Sequence, residues 1–141
     1  MPSPTQAPNH SFYNPDFDIN LAEGEMAEQL VSMGLTGRVE VKRDFKARET
    51  GRVYVELSCK GRPSGINVTD AEFWFFILSE RGSLLELIAD GAGIFVSTER
   101  LRRLVDDAVA KGRVGEQPYG SHQTTGALVS LADLLGVEHL R

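Results

Sequence analysis

Two short segments alternate polar and apolar residues without a break, and they follow one another closely in the chain. Residues 38–45 place Val39 and Val41 on one side and Arg38, Glu40, Lys42 and Asp44 on the other. Residues 52–58 repeat the pattern, with Val53, Val55 and Leu57 on one side and Arg52, Tyr54, Glu56 and Ser58 on the other. A period of two residues marks a half-buried strand. The connection, residues 47–51, is short and ends on a turn glycine, so the pair is expected to form an antiparallel hairpin with one apolar and one polar face.

The flanking sequence supplies elements to cover the apolar face. Leu21, Met26, Leu30 and Met33 fall near helical spacing, with Asn20 as cap, Glu23 closing a capping box, and Gly34 and Gly37 ending the element, which predicts a helix over 20–33. Thr69 and Glu72 form a second capping-box pair, predicting a short helix that runs into a buried strand at 74–78. Residues 84–88 and 94–96 are apolar segments of either type. Ser97 caps an amphipathic helix to about Val109, with Leu101, Leu104, Val105 and Ala108 inward. Residues 112–125 read as a glycine-rich polar loop, 127–131 as a last strand and 131–135 as a terminal helix.

At 141 residues one α/β domain over 20–141 accommodates all of this. Residues 1–19 precede it as a mobile arm, because four of the six prolines lie within the first fifteen residues among polar neighbours. No apolar run approaches the roughly 20 residues of a membrane span, and one cysteine excludes an internal disulfide, so a cytoplasmic protein is expected. Cys59 falls on the apolar side of its strand and reads as packing, and His10, His122 and His139 have no metal-ligand spacing.

The net charge of −5 argues against nucleic acid as a partner, but charge is unevenly spread. Residues 38–62 carry eight basic and four acidic side chains, whereas the first 28 residues carry five acids and no Lys or Arg. The polar strand faces hold Lys42 and Asp44 on one side and Glu56 and Ser58 on the other. Opposed side chains of a hairpin lie about 5 Å apart, so two carboxylates and an ammonium are expected to converge. That set suits a Mg²⁺ ion, which takes one or two carboxylates and leaves room for a phosphate. The same face also reads as a solvated surface laced by cross-strand salt bridges. The aromatic block Phe73 to Phe76 reads as core more readily than as a base-stacking surface.

In order, Gly24-Glu25, Val39-Glu40-Val41-Lys42-Arg43-Asp44, Thr50-Gly51-Arg52-Val53-Tyr54-Val55-Glu56, Pro63-Ser64-Gly65-Ile66 and Thr69-Asp70-Ala71-Glu72-Phe73-Trp74 resemble small phage and bacterial PD-(D/E)XK nuclease-like proteins, over residues 20–78, about two-fifths of the chain. The resemblance implies a restriction-endonuclease-like α/β core, a mixed β-sheet with a central hairpin flanked by helices. It implies a Mg²⁺-dependent nuclease, with Mn²⁺ as an alternative ion, acting on DNA more than RNA in a bacterial or phage-infected cell, as a possible homodimer. Asp44 matches the strand aspartate and Glu56 the first acid of the (D/E)-x-K triplet, both as metal ligands. Glu25 would complete the acidic pocket, and Ser58, Lys60, Ser64 and Thr69 would meet substrate. Ser58 stands where the triplet has lysine, so Lys42, or else Lys60, would have to supply the ammonium. The rival expectation is a catalytically silent module of the same fold that binds nucleic acid or a protein partner, and a third is a phage assembly protein.

Overall fold

The computed structural model describes residues 15–79 and 91–137, with side chains described from Gly24 onward. The apolar segment at 84–88, His10, His139 and the first fourteen residues lie outside these. Packing divides the chain into two compact units, Met1–Met33 and Gly34–Arg141. Helix α1 (Pro15–Thr36) begins five residues before the expected cap. Asn20 therefore lies inside it, because Pro15 at the first helical position presets φ and has no amide to satisfy. Among the described residues no helix is long and apolar enough to cross a membrane.

The second unit is mixed α/β and contains two sheets rather than one. β1 (Val39–Asp44), β4 (Phe73–Leu78) and β5 (Ala92–Ser97) form the first, in the order β1-β4-β5, with β1 parallel and β5 antiparallel to β4. β3 (Arg62–Pro63), β2 (Arg52–Cys59), β7 (His122–Ser130) and β6 (Val114–Tyr119) form the second, antiparallel throughout in the order β3-β2-β7-β6.

The expected central hairpin is thus absent: β1 and β2 belong to different sheets. The cause is local. Asp44 Oδ1 accepts the amides of Lys46 (3.0 Å) and Ala47 (2.8 Å). Those bonds cap the single helical turn α2 (Ala47–Thr50), which closes on Gly51 in the left-handed region at φ 71°. The turn carries the chain from one sheet to the other. β2 then pairs with β7, where Val53 and Val55 meet Val129 and Ala127.

The faces of β1 are also reversed from expectation. Its register sets Glu40 beside Trp74, Lys42 beside Phe76 and Asp44 beside Leu78, so the polar residues share the buried face of β4. Val41 points outward and is 55% exposed. A polar inner face is tolerable here because β1 is the edge of its sheet, where its charges find partners.

Two further segments depart from their patterns. Residues 73–78 are strand throughout, with no helix at 69–72. Thr69 Oγ1 accepts the Ala71 amide at 3.1 Å in a local turn instead of capping one. The expected loop at 112–125 is mostly the β6–β7 hairpin, turning at Gly120 with φ 58°. By contrast, helix α3 (Thr98–Ala110) is capped as expected, Ser97 Oγ accepting the Arg100 amide at 3.2 Å, and α4 (Leu131–Leu135) is capped by Ser130.

One buried cluster unites both sheets with α3 and α4: Val53, Val55, Ala127 and Val129 from one sheet, Trp74, Phe76 and Val96 from the other, and Leu101, Val105 and Leu134 from the helices. Trp74 and Phe76 are core residues, as the sequence suggested, and burying each contributes about 2–3 kcal/mol.

Candidate functional site

The face of the second sheet turned away from the core carries Arg52, Tyr54 and Glu56 on β2. Thr124, Gly126 and Leu128 stand opposite on β7, and Gly115, Gln117 and Tyr119 on β6. The Tyr54 ring lies over Gly126, where a Cβ would collide with it, so glycine at 126 makes room for the aromatic floor. At one end of this face the β1–α2 segment rises on one side and the tip of the β6–β7 hairpin on the other. Between them is an open cavity of about 830 Å³, lined by Lys42, Arg43, Asp44, Lys46, Tyr54, Glu56 and Tyr119, with Phe45, Gln117, Pro118 and Thr124.

Three expected site residues, Lys42, Asp44 and Glu56, therefore line one cavity although the strands that carry them do not pair. Both acids also have partners within the fold. Besides its two bonds to α2, Asp44 accepts the Tyr54 amide on Oδ2 at 3.0 Å. Both its oxygens are thus held by backbone, clasping the edge of β1 to the edge of β2. Glu56 Oε1 accepts the Ser64 hydroxyl at 2.5 Å. Gly65, at φ 54°, packs against the Glu56 backbone where a Cβ would clash, so this turn is fixed tightly under the strand.

A carboxylate oxygen offers about two acceptor positions, so Asp44 Oδ1 is filled and Oδ2 half filled. Asp44 thus keeps one acceptor position, on Oδ2, and Glu56 gives Oε1 to Ser64. Among the described residues no group of three His, Cys, Asp or Glu side chains is placed to hold a metal.

The cations present a different picture. Lys42 Nζ bonds Glu40 Oε1 at 2.7 Å and stands 5.7 Å from the centre of the Trp74 ring. The Arg43 guanidinium stacks 5.0 Å from the Phe45 ring centre and reaches Ser79 Oγ at 3.4 Å. Lys46 has no side-chain partner among the described residues. The Trp74 indole N–H, deep in the core, also lacks one among them.

Tyr54 is the aromatic centre of the cavity. Its hydroxyl is 2.8 Å from Thr124 Oγ1, which itself donates to the Gln117 carbonyl at 3.2 Å. Thr124 has one proton, so the Tyr54 hydroxyl is the donor in that pair. Burial pushes the phenol above its ordinary value of 10.0, with the Glu56 and Glu116 charges acting in the same direction.

Ser58, Lys60, Ser64 and Thr69 are not among the residues that line the cavity. A β-bulge at Leu57 shifts the register so that Ser58 opposes Thr125, which shares the parity of the inward Ala127. Ser58 is thereby turned off the face that Glu56 occupies, and Cys59 comes opposite Thr124 on the outer face rather than packing inward. Lys60 sits in the turn to β3 with φ 53° and does not line the cavity. Ser64 acts by holding Glu56, and Thr69 by its local turn and by its carbonyl, which accepts from Arg102 at 3.3 Å. Glu25 and Glu28 are exposed on α1, in the first unit. Arg43, Lys46, Tyr54, Tyr119 and Thr124 were not among the expected site residues, although Arg43 and Lys46 belong to the basic stretch 38–62 and Tyr54 stands on the polar side beside Glu56. Comparison of the chain with family models, curated proteins and solved structures finds no match.

Proposed function

We propose that this chain is a non-catalytic binding module that engages nucleic acid at the cavity between the β1–α2 segment and the β6–β7 hairpin. The observation that carries the reading is the division of labour among the lining residues. The Asp44 carboxylate accepts three backbone amides, while Lys42, Arg43 and Lys46 border the same space as Phe45, Tyr54 and Tyr119. Cations beside exposed aromatic rings suit a strand whose phosphates are neutralised and whose bases stack. Tyr119, 70% exposed at the hairpin tip, is placed for such stacking. The acidic whole-chain charge limits affinity but leaves this rim basic.

A second reading, metal-dependent phosphodiester cleavage, is favoured by one observation: Asp44, Glu56 and Lys42 do line a single cavity. One experiment separates the two. Labelled single-stranded and duplex oligonucleotides are titrated with the protein at several salt concentrations, and plasmid nicking is followed with Mg²⁺ or Mn²⁺. The binding reading expects salt-dependent affinity without metal, a salt slope smaller by about 1 for Lys46→Gln, and no nicking. Nicking that is lost in an Asp44→Ala, Glu56→Ala double variant would establish the hydrolase. Absence of any salt-dependent binding would remove nucleic acid as the ligand.

A further inference from the structure

The opposite end of the same sheet face holds a second cavity, of about 420 Å³, to which three cationic side chains come from three different elements. Arg52 opens β2, Lys111 ends α3 and Arg113 precedes β6. Ser130 and Asp133, from the end of β7 and from α4, complete its polar lining.

The strand register brings these groups together. Arg52 is directly opposite Ser130 in the β2–β7 ladder, and opposed Cβ atoms lie about 5 Å apart. On the other flank of β7 the Arg113 carbonyl accepts the Leu128 amide at 2.9 Å. By parity Arg113 shares the face of Gly115, and therefore that of Gly126, Leu128, Ser130 and Arg52. The two guanidinium stems thus stand on either side of one strand, staggered by two residues because Arg113 faces Leu128, and about 12 Å apart at the backbone by strand spacing and rise, with Ser130 beside Arg52.

Charge and hydrogen bonding leave this cavity in need of an anion. Lys111 is paired with Asp107 at 2.7 Å, and Arg113 meets Asp133 only at 3.7 Å. Arg52 has no side-chain partner among the described residues. Ser130 Oγ accepts the Asp133 amide at 3.0 Å, so its proton remains available to donate into the cavity. Among the described lining residues Asp133 is the one carboxylate, set against two guanidinium groups. Guanidinium forks match the paired oxygens of a phosphate, and a dianion with several acceptor oxygens exploits two forks and a hydroxyl better than a lone carboxylate does.

We propose that this cavity is a second oxyanion site, which takes a phosphate group between Arg52 and Arg113 with the Ser130 hydroxyl as a further donor. A phosphate can occupy it whether or not the first cavity engages nucleic acid. The group comes either from free phosphate or from the backbone of a strand lying along the sheet face.

Inorganic phosphate titrated into the full chain at constant ionic strength, read by ¹H–¹⁵N correlation spectra, tests the site. Saturable shifts are expected at the amides of Arg52, Ser130 and Leu131. The apparent affinity should fall at least tenfold in Arg52→Gln, partially in Arg52→Lys, which keeps the charge but not the fork, and not at all in Lys60→Gln, a charge-matched control outside both cavities. Linear, unsaturable shifts, or equal affinity in Arg52→Gln with its spectrum otherwise intact, would overturn the proposal. A single-stranded oligonucleotide then identifies the source. If it displaces phosphate and binds more weakly to Arg52→Gln, the group belongs to a strand. If Arg52→Gln weakens only inorganic phosphate, the site serves the free ion. Failure of the phosphate titration leaves the reading of the first cavity standing, because that reading is tested at Lys46.

Discussion

Asp44 has an architectural role in this fold. In the sequence it is an acid on a polar strand face two residues from a lysine, the arrangement expected of a metal ligand. In the fold its two oxygens receive the amides of Lys46, Ala47 and Tyr54, so it caps α2 and ties the edges of two sheets. Asp44→Ala should therefore destabilise the protein by about 2–4 kcal/mol in urea unfolding, combining a lost cap with a charge-assisted bond to β2. A merely solvated aspartate would cost a few tenths. Tyr54 makes a second prediction. Its phenol is raised above 10.0 in the folded chain, first by burial, so near that pH the unfolded chain loses its proton while the folded chain keeps it. The folded state then binds more protons, and stability falls as pH climbs through the ordinary value toward the folded one. Urea midpoints measured between pH 9 and 11 should decline more steeply for the natural protein than for Tyr54→Phe.

The elements that were legible are those whose pattern is set by a buried face or a cap. Helix α3 shows its inner stripe at Leu101, Val105 and Ala108 and its Ser97 cap, and the structure has both. β2 shows its alternation because Val53 and Val55 are fully buried while Tyr54 is not. β6 was invisible for the converse reason. It is a sheet edge with hardly any buried side chain, so Val114 to Tyr119 has no apolar parity to display, and Pro118 and Gly115 argued for a loop. β1 misled because its alternation is real but its direction is not encoded in it. Amide hydrogen exchange should rank the strands by these environments. β4 and β7, each paired on both sides, should be the slowest to exchange, and β6, open along one edge, among the fastest. Equal protection of β6 and β7 would mean that the edge is covered.

At the scale of the whole molecule, the sequence by itself determined an α/β chain, the positions of most strands and of α3 and α4, the core role of Trp74 and Phe76, and a basic stretch over residues 38–62 facing an otherwise acidic chain. Those features are local: period, caps and charge density are written in neighbouring residues. Tertiary structure alone decided that the two alternating segments part into separate sheets, that β1 turns its charges inward, and that the β6–β7 hairpin closes a cavity over Tyr54. It also decided that Arg52, Ser130 and Arg113, separated by up to 78 positions in the chain, share one face. Strand pairing is a competition among distant segments for the same backbone donors and acceptors. A hairpin between β1 and β2 lost that competition because Asp44 stabilises a helical turn between them, and because β4 offers β1 a more apolar partner and β7 offers β2 a longer and more apolar one.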